Sequence, residues 1–121
     1  MPVRHVMVVD DSKTELMFLS ELLGKHGYTV STAQSAEEAL RRVEDAIPDL
    51  ILMDVVMPGQ NGFQLTRMLS RDTRYANIPI FLCTSKNQET DRVWGMRQGA
   101  RGYIVKPINA TELLAKINAL N

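Results

Sequence analysis

The stretch Leu50-Ile51-Leu52-Met53-Asp54, followed by Val55-Val56-Met57-Pro58-Gly59, decides the fold. Four consecutive apolar residues without alternation predict a strand that is buried on both faces, as in the middle of a parallel sheet. Asp54 ends this strand, and Pro58-Gly59 then breaks the regular structure. A carboxylate at the carboxyl end of a central parallel strand lies where open α/β sheets bind their ligands. Asp54 is therefore the first candidate functional residue.

The composition predicts one domain over residues 1–121, because 121 residues with 45% hydrophobic content are enough for one buried core. Lys plus Arg and Asp plus Glu both total 14, so the net charge of zero favours a protein partner over nucleic acid or a membrane. The single cysteine, Cys83, cannot form an internal disulfide and is expected to be an inert core thiol. With no signal-like or long apolar segment in the sequence, we expect a cytoplasmic monomer.

Predicted strands and helices alternate along the whole chain. The strands are His5–Val9, Tyr28–Thr32, Leu50–Met53, Ile80–Cys83 and Tyr103–Val105. The helices begin after Ser12, after Ser35, at Asn61-Gly62, at Asp91 (running to Gln98), and after Asn109 or Thr111. Ser35 with Glu38 forms a capping-box pattern, and the apolar side of that helix is Leu40, Val43 and Ile47. Right-handed crossovers fold such an order into an α/β, doubly wound, five-stranded parallel sheet with helices on both faces.

Polar residues follow the apolar runs and should meet at one edge of this sheet. They are Asp10-Asp11, Asp54, Thr84-Ser85 and Lys106. Carboxylates this close repel by about 4 kcal/mol per pair at about 4 Å, with an effective dielectric near 20, so a positive charge should lie among them. An all-oxygen ligand set favours Mg²⁺. The alternative for Asp10-Asp11 is helix capping, which would use only one of the two.

Lys106 follows an apolar run and precedes Pro107, which suggests a fixed ammonium at the edge of the site. A cis Lys106–Pro107 bond would turn the lysine toward the cleft. Thr84 offers a hydroxyl at the end of its strand, although a β-branched residue there also suits a strand for packing reasons alone.

The motifs Val8-Val9-Asp10-Asp11-Ser12, Leu52 to Gly62, Thr84-Ser85 and Lys106-Pro107 together match a known pattern. The chain resembles the receiver domains of two-component response regulators, of the stand-alone CheY-like type, over essentially its whole length. Within that family, the stretch Gln88 to Ala100 is similar to the regulators of type IV pilus twitching motility, which is a weaker match at the level of the subfamily.

The resemblance implies that Asp54 accepts a phosphoryl group from a phosphohistidine on a sensor histidine kinase. It also implies that Asp10, Asp11, Asp54 and the backbone carbonyl of Val56 hold Mg²⁺, one of the first two through water. Val56 and Lys86 occupy variable family positions near the path of the attacking water. The implied role is a signalling phosphoacceptor rather than an enzyme, with self-catalysed phosphotransfer and dephosphorylation.

The resemblance further implies a switch between phosphorylation and a downstream target protein. Lys106 would neutralise a phosphoryl oxygen, and the Thr84 hydroxyl would bond another. Movement of the Thr84 hydroxyl would let Tyr103 exchange a solvent-facing position for an inward one. The alternative is that Tyr103 is a fixed, half-buried strand residue that does not move. The output face would be helix four, strand five and helix five, with Trp94, Arg97 and Arg101 as candidate surface residues. Trp94 could equally belong to the core.

Other functions stay open on the residues alone. A Mg²⁺-dependent phosphohydrolase with an aspartate nucleophile also needs carboxylates at strand ends, but it would carry an Asp-x-Asp pattern after the first strand. A flavodoxin-like nucleotide module needs a phosphate-cradling loop where Asp10-Asp11 would repel phosphate. A scaffold with vestigial acids would not need every site position filled. A receiver may also drain phosphate from another regulator instead of signalling onward.

Overall fold

The structure is a computed structural model that describes residues 2–121, and within that range five strands alternate with five helices. The strands are β1 His5–Val9, β2 Thr29–Ala33, β3 Leu50–Asp54, β4 Ile80–Thr84 and β5 Gly102–Val105. The helices are α1 Lys13–Lys25, α2 Ala36–Asp45, α3 Gly62–Arg71, α4 Glu89–Arg97 and α5 Ala110–Asn118. No helix in this described part of the chain is long and apolar enough to cross a bilayer.

The strands form one parallel sheet, as the sequence predicted, and their order in the sheet is β2-β1-β3-β4-β5. β3 lies in the middle, and all five of its residues are buried. The order reverses direction between β1 and β3, so the crevice of a doubly wound fold lies between the carboxyl ends of these two strands. That crevice is where Asp10 and Asp54 follow their strands.

Alternate strand residues enter two separate apolar layers, because successive side chains of a strand point to opposite faces of the sheet. Met7, Met53, Leu82 and Tyr103 pack with α2 and α3. The other layer contains their neighbours along the strands together with residues of α1 and α5: Val6, Val8, Leu16, Leu19, Leu23, Leu50, Leu52, Phe81, Cys83, Ile104, Leu113 and Ile117. Cys83 is buried, and burial raises the pKa of its thiol to about 12, in agreement with an inert core cysteine.

The helix starts use the capping residues that the sequence indicated. Side-chain oxygens of Ser12, Ser35 and Asn61 each accept a hydrogen bond from a backbone N–H in the first turn of the following helix. Asn61 also forms a full capping box with Gln64. Asn109, and not Thr111, caps α5.

Two sequence-based details were wrong in ways that have a local cause. α4 begins at Glu89 rather than Asp91, because Asp91 accepts a hydrogen bond from the backbone N–H of Gln88 and forms a capping box there. Ile47 is 57% exposed and does not share the buried side of α2, because that helix ends at Asp45 and the next residue is extended. Ile47 instead lines a groove at the amino-terminal edge of the sheet. Strand β2 is shifted by one residue at both ends relative to its predicted bounds, and β3, β4 and β5 are each one residue longer at one end.

Gly62 allows α3 to begin directly against the end of β3. A Cβ built on Gly62 would clash with the carbonyl oxygen of Asp54 and would lie 2.9 Å from the Cα of Val55. The Gly62 N–H also donates to the carbonyl of Val55 at 2.9 Å. The close approach of α3 to the end of β3, where Asp54 lies, therefore requires glycine at position 62.

We expect Gly62→Ala to lower the free energy of unfolding by about 3 kcal/mol, because the added methyl group meets backbone that cannot move aside without displacing Asp54. Gly24→Ala is the matched control. Gly24 lies in α1 with nothing within 4 Å of a built Cβ, so alanine should be neutral or stabilise by about 1 kcal/mol. Urea denaturation measures both changes, and equal effects of the two substitutions would contradict the close fit at Gly62.

Candidate functional site

The register of the strands brings the predicted polar residues to one edge of the sheet. Val9 is paired with Met53, so Asp10 and Asp54 follow at the same level on adjacent strands. Asp54 is paired with Cys83, which places Thr84 one residue further along β4. Thr84 is in turn paired with Val105, the residue before Lys106. The edge therefore contains groups from four different segments of the chain.

Lys106 places its ammonium between two carboxylates. Its Nζ donates to Oδ2 of Asp10 at 2.7 Å and to Oδ1 of Asp54 at 3.4 Å. The side chain of Lys106 is 21% exposed, whereas those of Asp10 and Asp54 are 4% and 8% exposed. The positive charge that the carboxylates require thus comes from the chain itself. The Lys106–Pro107 peptide bond is cis.

Asp10 and Asp11 differ sharply in their surroundings. Asp10 is buried, and its two oxygens are both in use, since Oδ1 accepts from the Ser12 backbone N–H at 2.9 Å and Oδ2 accepts from Lys106. Asp11 is exposed to solvent. The capping residue of α1 is Ser12, so neither aspartate serves as the cap.

The environment of Asp54 resists a negative charge. Burial, followed by the charge of Asp10, raises the pKa of Asp54 to about 6, although Lys106 acts in the opposite direction. For Lys106, burial favours the neutral amine, but the hydrogen bond to Asp10 and the nearby carboxylates outweigh it and the pKa is raised. Lys106 therefore stays charged and partly compensates a carboxylate that is costly to ionise.

Thr84 and Tyr103 hold the same peptide segment from two sides. The Thr84 hydroxyl accepts a hydrogen bond from the Lys86 backbone N–H at 3.2 Å, and the Tyr103 hydroxyl donates to the Lys86 carbonyl at 2.8 Å. Thr84 is fully buried, and Tyr103 is 6% exposed with its ring packed inward. The backbone of Lys86 was not among the groups found by sequence reasoning, because a main-chain group has no sequence signal.

The other candidate residues are at the surface, but Arg101 lines the groove at the amino-terminal edge of the sheet rather than the site. The side chain of Val56 is 56% exposed and lies just beyond β3, next to Asp54. Trp94 is 49% exposed, which excludes the core alternative for this residue. Arg97 and Arg101 are also exposed.

The acidic groups fit a Mg²⁺ ion. Asp10, Asp11 and Asp54 each offer a carboxylate oxygen, and these atoms lie within 4.8 Å of one another. Ligands of a single Mg²⁺ at about 2.1 Å lie at most about 4.2 Å apart, so only small side-chain movements are needed. The donor set is entirely oxygen, as Mg²⁺ prefers. Asp10 would have to exchange part of its bonding to Lys106 for the ion.

Comparisons with known proteins agree with this fold. Residues 6–118 match the response regulator receiver domain family, and the chain belongs to that family. It is a receiver domain of two-component signalling. Neither the phosphohydrolase alternative nor a role that drains phosphate from another regulator gains support from these comparisons.

Individual relatives differ in how much of their length the chain covers. Protein PilH of Pseudomonas aeruginosa is 47% identical over 116 residues, which is 96% of both chains. Response regulator PleD of Caulobacter vibrioides is 36% identical over 96% of this chain, but that match spans only 26% of PleD. Among solved structures, chemotaxis protein CheY4 of Vibrio cholerae superposes with a TM-score of 0.92 at 32% identity, covering 98% of this chain and 99% of CheY4.

We expect Asp54→Asn to raise the free energy of unfolding near neutral pH in metal-free buffer. The folded protein binds the Asp54 proton more tightly than the unfolded chain, because the pKa is raised from 3.8 to about 6. The contribution of this bound proton to the free energy of unfolding is fully present below the pKa that Asp54 has in the unfolded chain. It is lost as the pH rises through about 6. The asparagine side chain does not ionise. The difference in the free energy of unfolding between Asp54→Asn and the parent protein should therefore grow to about 1–2 kcal/mol as the pH rises through this range.

Urea denaturation at a series of pH values, with a chelator present, measures this difference. Asp45→Asn is the control, because Asp45 is an exposed carboxylate at the end of α2. Parallel pH profiles for Asp54→Asn and the parent protein would show that Asp54 ionises as easily in the folded state as in the unfolded chain.

Proposed function

We propose that Asp54 is the phosphoacceptor of this receiver and that a histidine kinase is its donor. The observation that carries this proposal is the buried carboxylate at the end of the central strand, with the Lys106 ammonium 3.4 Å from one of its oxygens. A carboxylate oxygen of Asp54 would form a bond to phosphorus as the bond from phosphorus to the donor imidazole breaks. The imidazole nitrogen keeps the electron pair, and the product on this chain is an acyl phosphate.

Lys106 is already in position to serve this transfer. Phosphoryl transfer needs positioning and fixed positive charge more than it needs covalent chemistry from the protein. The ammonium is held by Asp10 and reaches Asp54, so an incoming phosphoryl oxygen meets a charge that requires little reorganisation. The chain acts in this scheme as a signalling phosphoacceptor that catalyses its own phosphorylation and dephosphorylation.

Asp10, Asp11 and Asp54, with the backbone carbonyl of Val56, would hold Mg²⁺ in the working protein. The ion supplies positive charge that neutralises phosphoryl oxygens. Asp10 orients the ammonium of Lys106, and Asp11, which is exposed, needs no rearrangement of the core to bind a cation.

We expect Asp54→Asn to abolish phosphorylation, because the amide cannot form the acyl phosphate. The measurement is transfer of labelled phosphate from purified histidine kinases, with base lability as the signature of the product. Asp45→Asn should be phosphorylated as the parent is, whereas Asp11→Ala or chelation of divalent cations should slow transfer at least tenfold. Base-labile label on Asp54→Asn would assign the phosphoacceptor to another residue.

We further propose that phosphorylation is transmitted through the backbone of Lys86. The Thr84 hydroxyl now accepts from the Lys86 N–H, and a phosphoryl group on Asp54 would compete for that hydroxyl. The carbonyl of the same residue accepts from Tyr103, so a change at Thr84 reaches Tyr103 without direct contact. The face formed by α4, β5 and α5 then presents the change to a target protein, and Met96 and Val105 are exposed there.

We expect Thr84→Ala to keep phosphorylation and to uncouple it from Tyr103. A stable phosphoryl mimic with Mg²⁺ should shift NMR signals over residues 84–106 in the parent protein. In Thr84→Ala the shifts should be confined to the surroundings of Asp54 and Asp10, and Tyr103→Phe should weaken the response at Lys86. Shifts beside Asp54 alone in the parent protein would mean that there is no such switch.

The setting we propose is control of twitching motility or a chemotaxis-like response in the cytoplasm. The high identity to PilH across nearly the whole of both chains supports this placement. Histidine kinases form their phosphohistidine from ATP, which is available in that compartment.

A further inference from the structure

We propose that the surface between α3 and α4 is a docking site for an acidic amphipathic helix of a partner protein. The site is a trough formed by two adjoining cavities and is named here the α3–α4 trough. The first cavity, of about 250 Å³, is lined by Asn61, Phe63, Gln64, Arg67, Trp94 and Gln98. The second, of about 380 Å³, is lined by Val55, Val56, Met57, Gly59, Asn61, Phe63 and Lys86.

The two cavities adjoin, since Asn61 and Phe63 line both of them. One end of the trough is at Val56, beside the phosphorylation site, and the other is at Trp94 on α4. An aromatic side chain that is 49% exposed and an aliphatic one that is 56% exposed therefore mark its two ends. Exposed apolar groups in a shared concave surface are typical of a protein interaction site.

This surface differs from the face formed by α4, β5 and α5. Gly95 is the buried residue of α4, and Trp94 and Met96 flank it on opposite sides of the helix, since successive helical residues are about 100° apart. Trp94 lines the cavity toward α3. Met96 therefore belongs to the side of α4 that faces β5.

The charges of the trough select the chemistry of the occupant. Arg67 and Lys86 are the charged residues among those lining the two cavities, and both are exposed cations. The rest of the lining is apolar or carries neutral amides. A helix with apolar residues on one side and glutamate or aspartate at its margins complements this pattern.

An occupant of the trough would also contact the packing around Tyr103. A Cβ built on Gly95 would lie 3.2 Å from Cε1 of Phe63 and 3.3 Å from Cδ2 of Tyr103, so both rings pack against this glycine. A peptide that displaces Phe63 would therefore shift Gly95 and, through it, the ring of Tyr103. The hydroxyl of Tyr103 donates to the Lys86 carbonyl. The docking site is thereby linked to the switch proposed above, so phosphorylation of Asp54 should in turn change the affinity of the trough.

The test uses two synthetic 18-residue helical peptides without tryptophan. They have the same leucine pattern, and one carries glutamate on its polar face where the other carries lysine. Trp94 is the only tryptophan of the chain, so its fluorescence reports binding at α4, and the charge-reversal variants below then assign that binding to the trough. We expect the glutamate peptide to bind the parent protein at least tenfold more tightly than the lysine peptide.

Charge reversal locates the binding. Arg67→Glu and Lys86→Glu should each lower the affinity for the glutamate peptide at least fivefold and raise the affinity for the lysine peptide. Arg92→Glu is the matched control, because Arg92 is exposed on α4 but lines neither cavity, and it should change binding less than twofold. Arg67→Glu and Arg92→Glu should still be phosphorylated, so the loss of peptide binding by Arg67→Glu is distinguishable from failure of the phosphoacceptor.

Three results would overturn the proposal. Equal affinity for the two peptides, or no binding of either, would remove the charge argument. A larger loss with Arg92→Glu than with Arg67→Glu would move the site to the other side of α4. Concentration-dependent dimerisation that is lost in Arg67→Glu would make the occupant of the trough a second copy of the chain.

Discussion

The ammonium of Lys106 between the carboxylates of Asp10 and Asp54 is the interaction on which the site depends. Two largely buried carboxylates on adjacent strands repel each other, and neither is stable as an ion without a nearby cation. Lys106 supplies that cation from the far edge strand, which makes the carboxyl ends of β1, β3 and β5 mutually dependent. The compensation is incomplete, since the pKa of Asp54 is still raised to about 6. Because the carboxylates are not fully neutralised, the site favours binding of a further cation. It also favours conversion of the Asp54 carboxylate into an acyl phosphate, which moves negative charge onto the phosphoryl oxygens.

The parallel topology explains how residues so distant in sequence come together. Strand ends meet at one edge only if every strand runs in the same direction, and each strand here is followed by a helix that returns the chain to the opposite edge. The register then fixes the level of each group to within one residue. Asp10 and Asp54 are level, and Lys106 is far enough along its segment for a long side chain to reach back between them.

The sequence was sufficient for the sheet and for the convergence of its polar groups, because both follow from uninterrupted apolar runs and the alternation of elements. It was insufficient where a neighbour in space decides the outcome. Ile47 continues the apolar spacing of α2, yet the helix ends before it. Trp94 has helical spacing, but α4 buries mainly Gly95, so periodicity could not place the tryptophan. The junction at Lys86 involves only its backbone N–H and carbonyl, which no side-chain pattern reveals.

The burial pattern of α4, which the sequence did not predict, suits this helix to transmit a signal. A helix that buries one glycine and leaves Val93, Trp94 and Met96 exposed gains little apolar stabilisation from the core. Elements with few buried apolar contacts open and shift at low free-energy cost. Two hydrogen bonds hold Lys86 in the segment before α4. Its backbone N–H donates to the Thr84 hydroxyl beside the phosphorylation site, and its carbonyl accepts from the hydroxyl of Tyr103 in β5. A redistribution of charge at Asp54 that loosens one of these bonds therefore acts on a helix that has few buried apolar contacts to hold it in place.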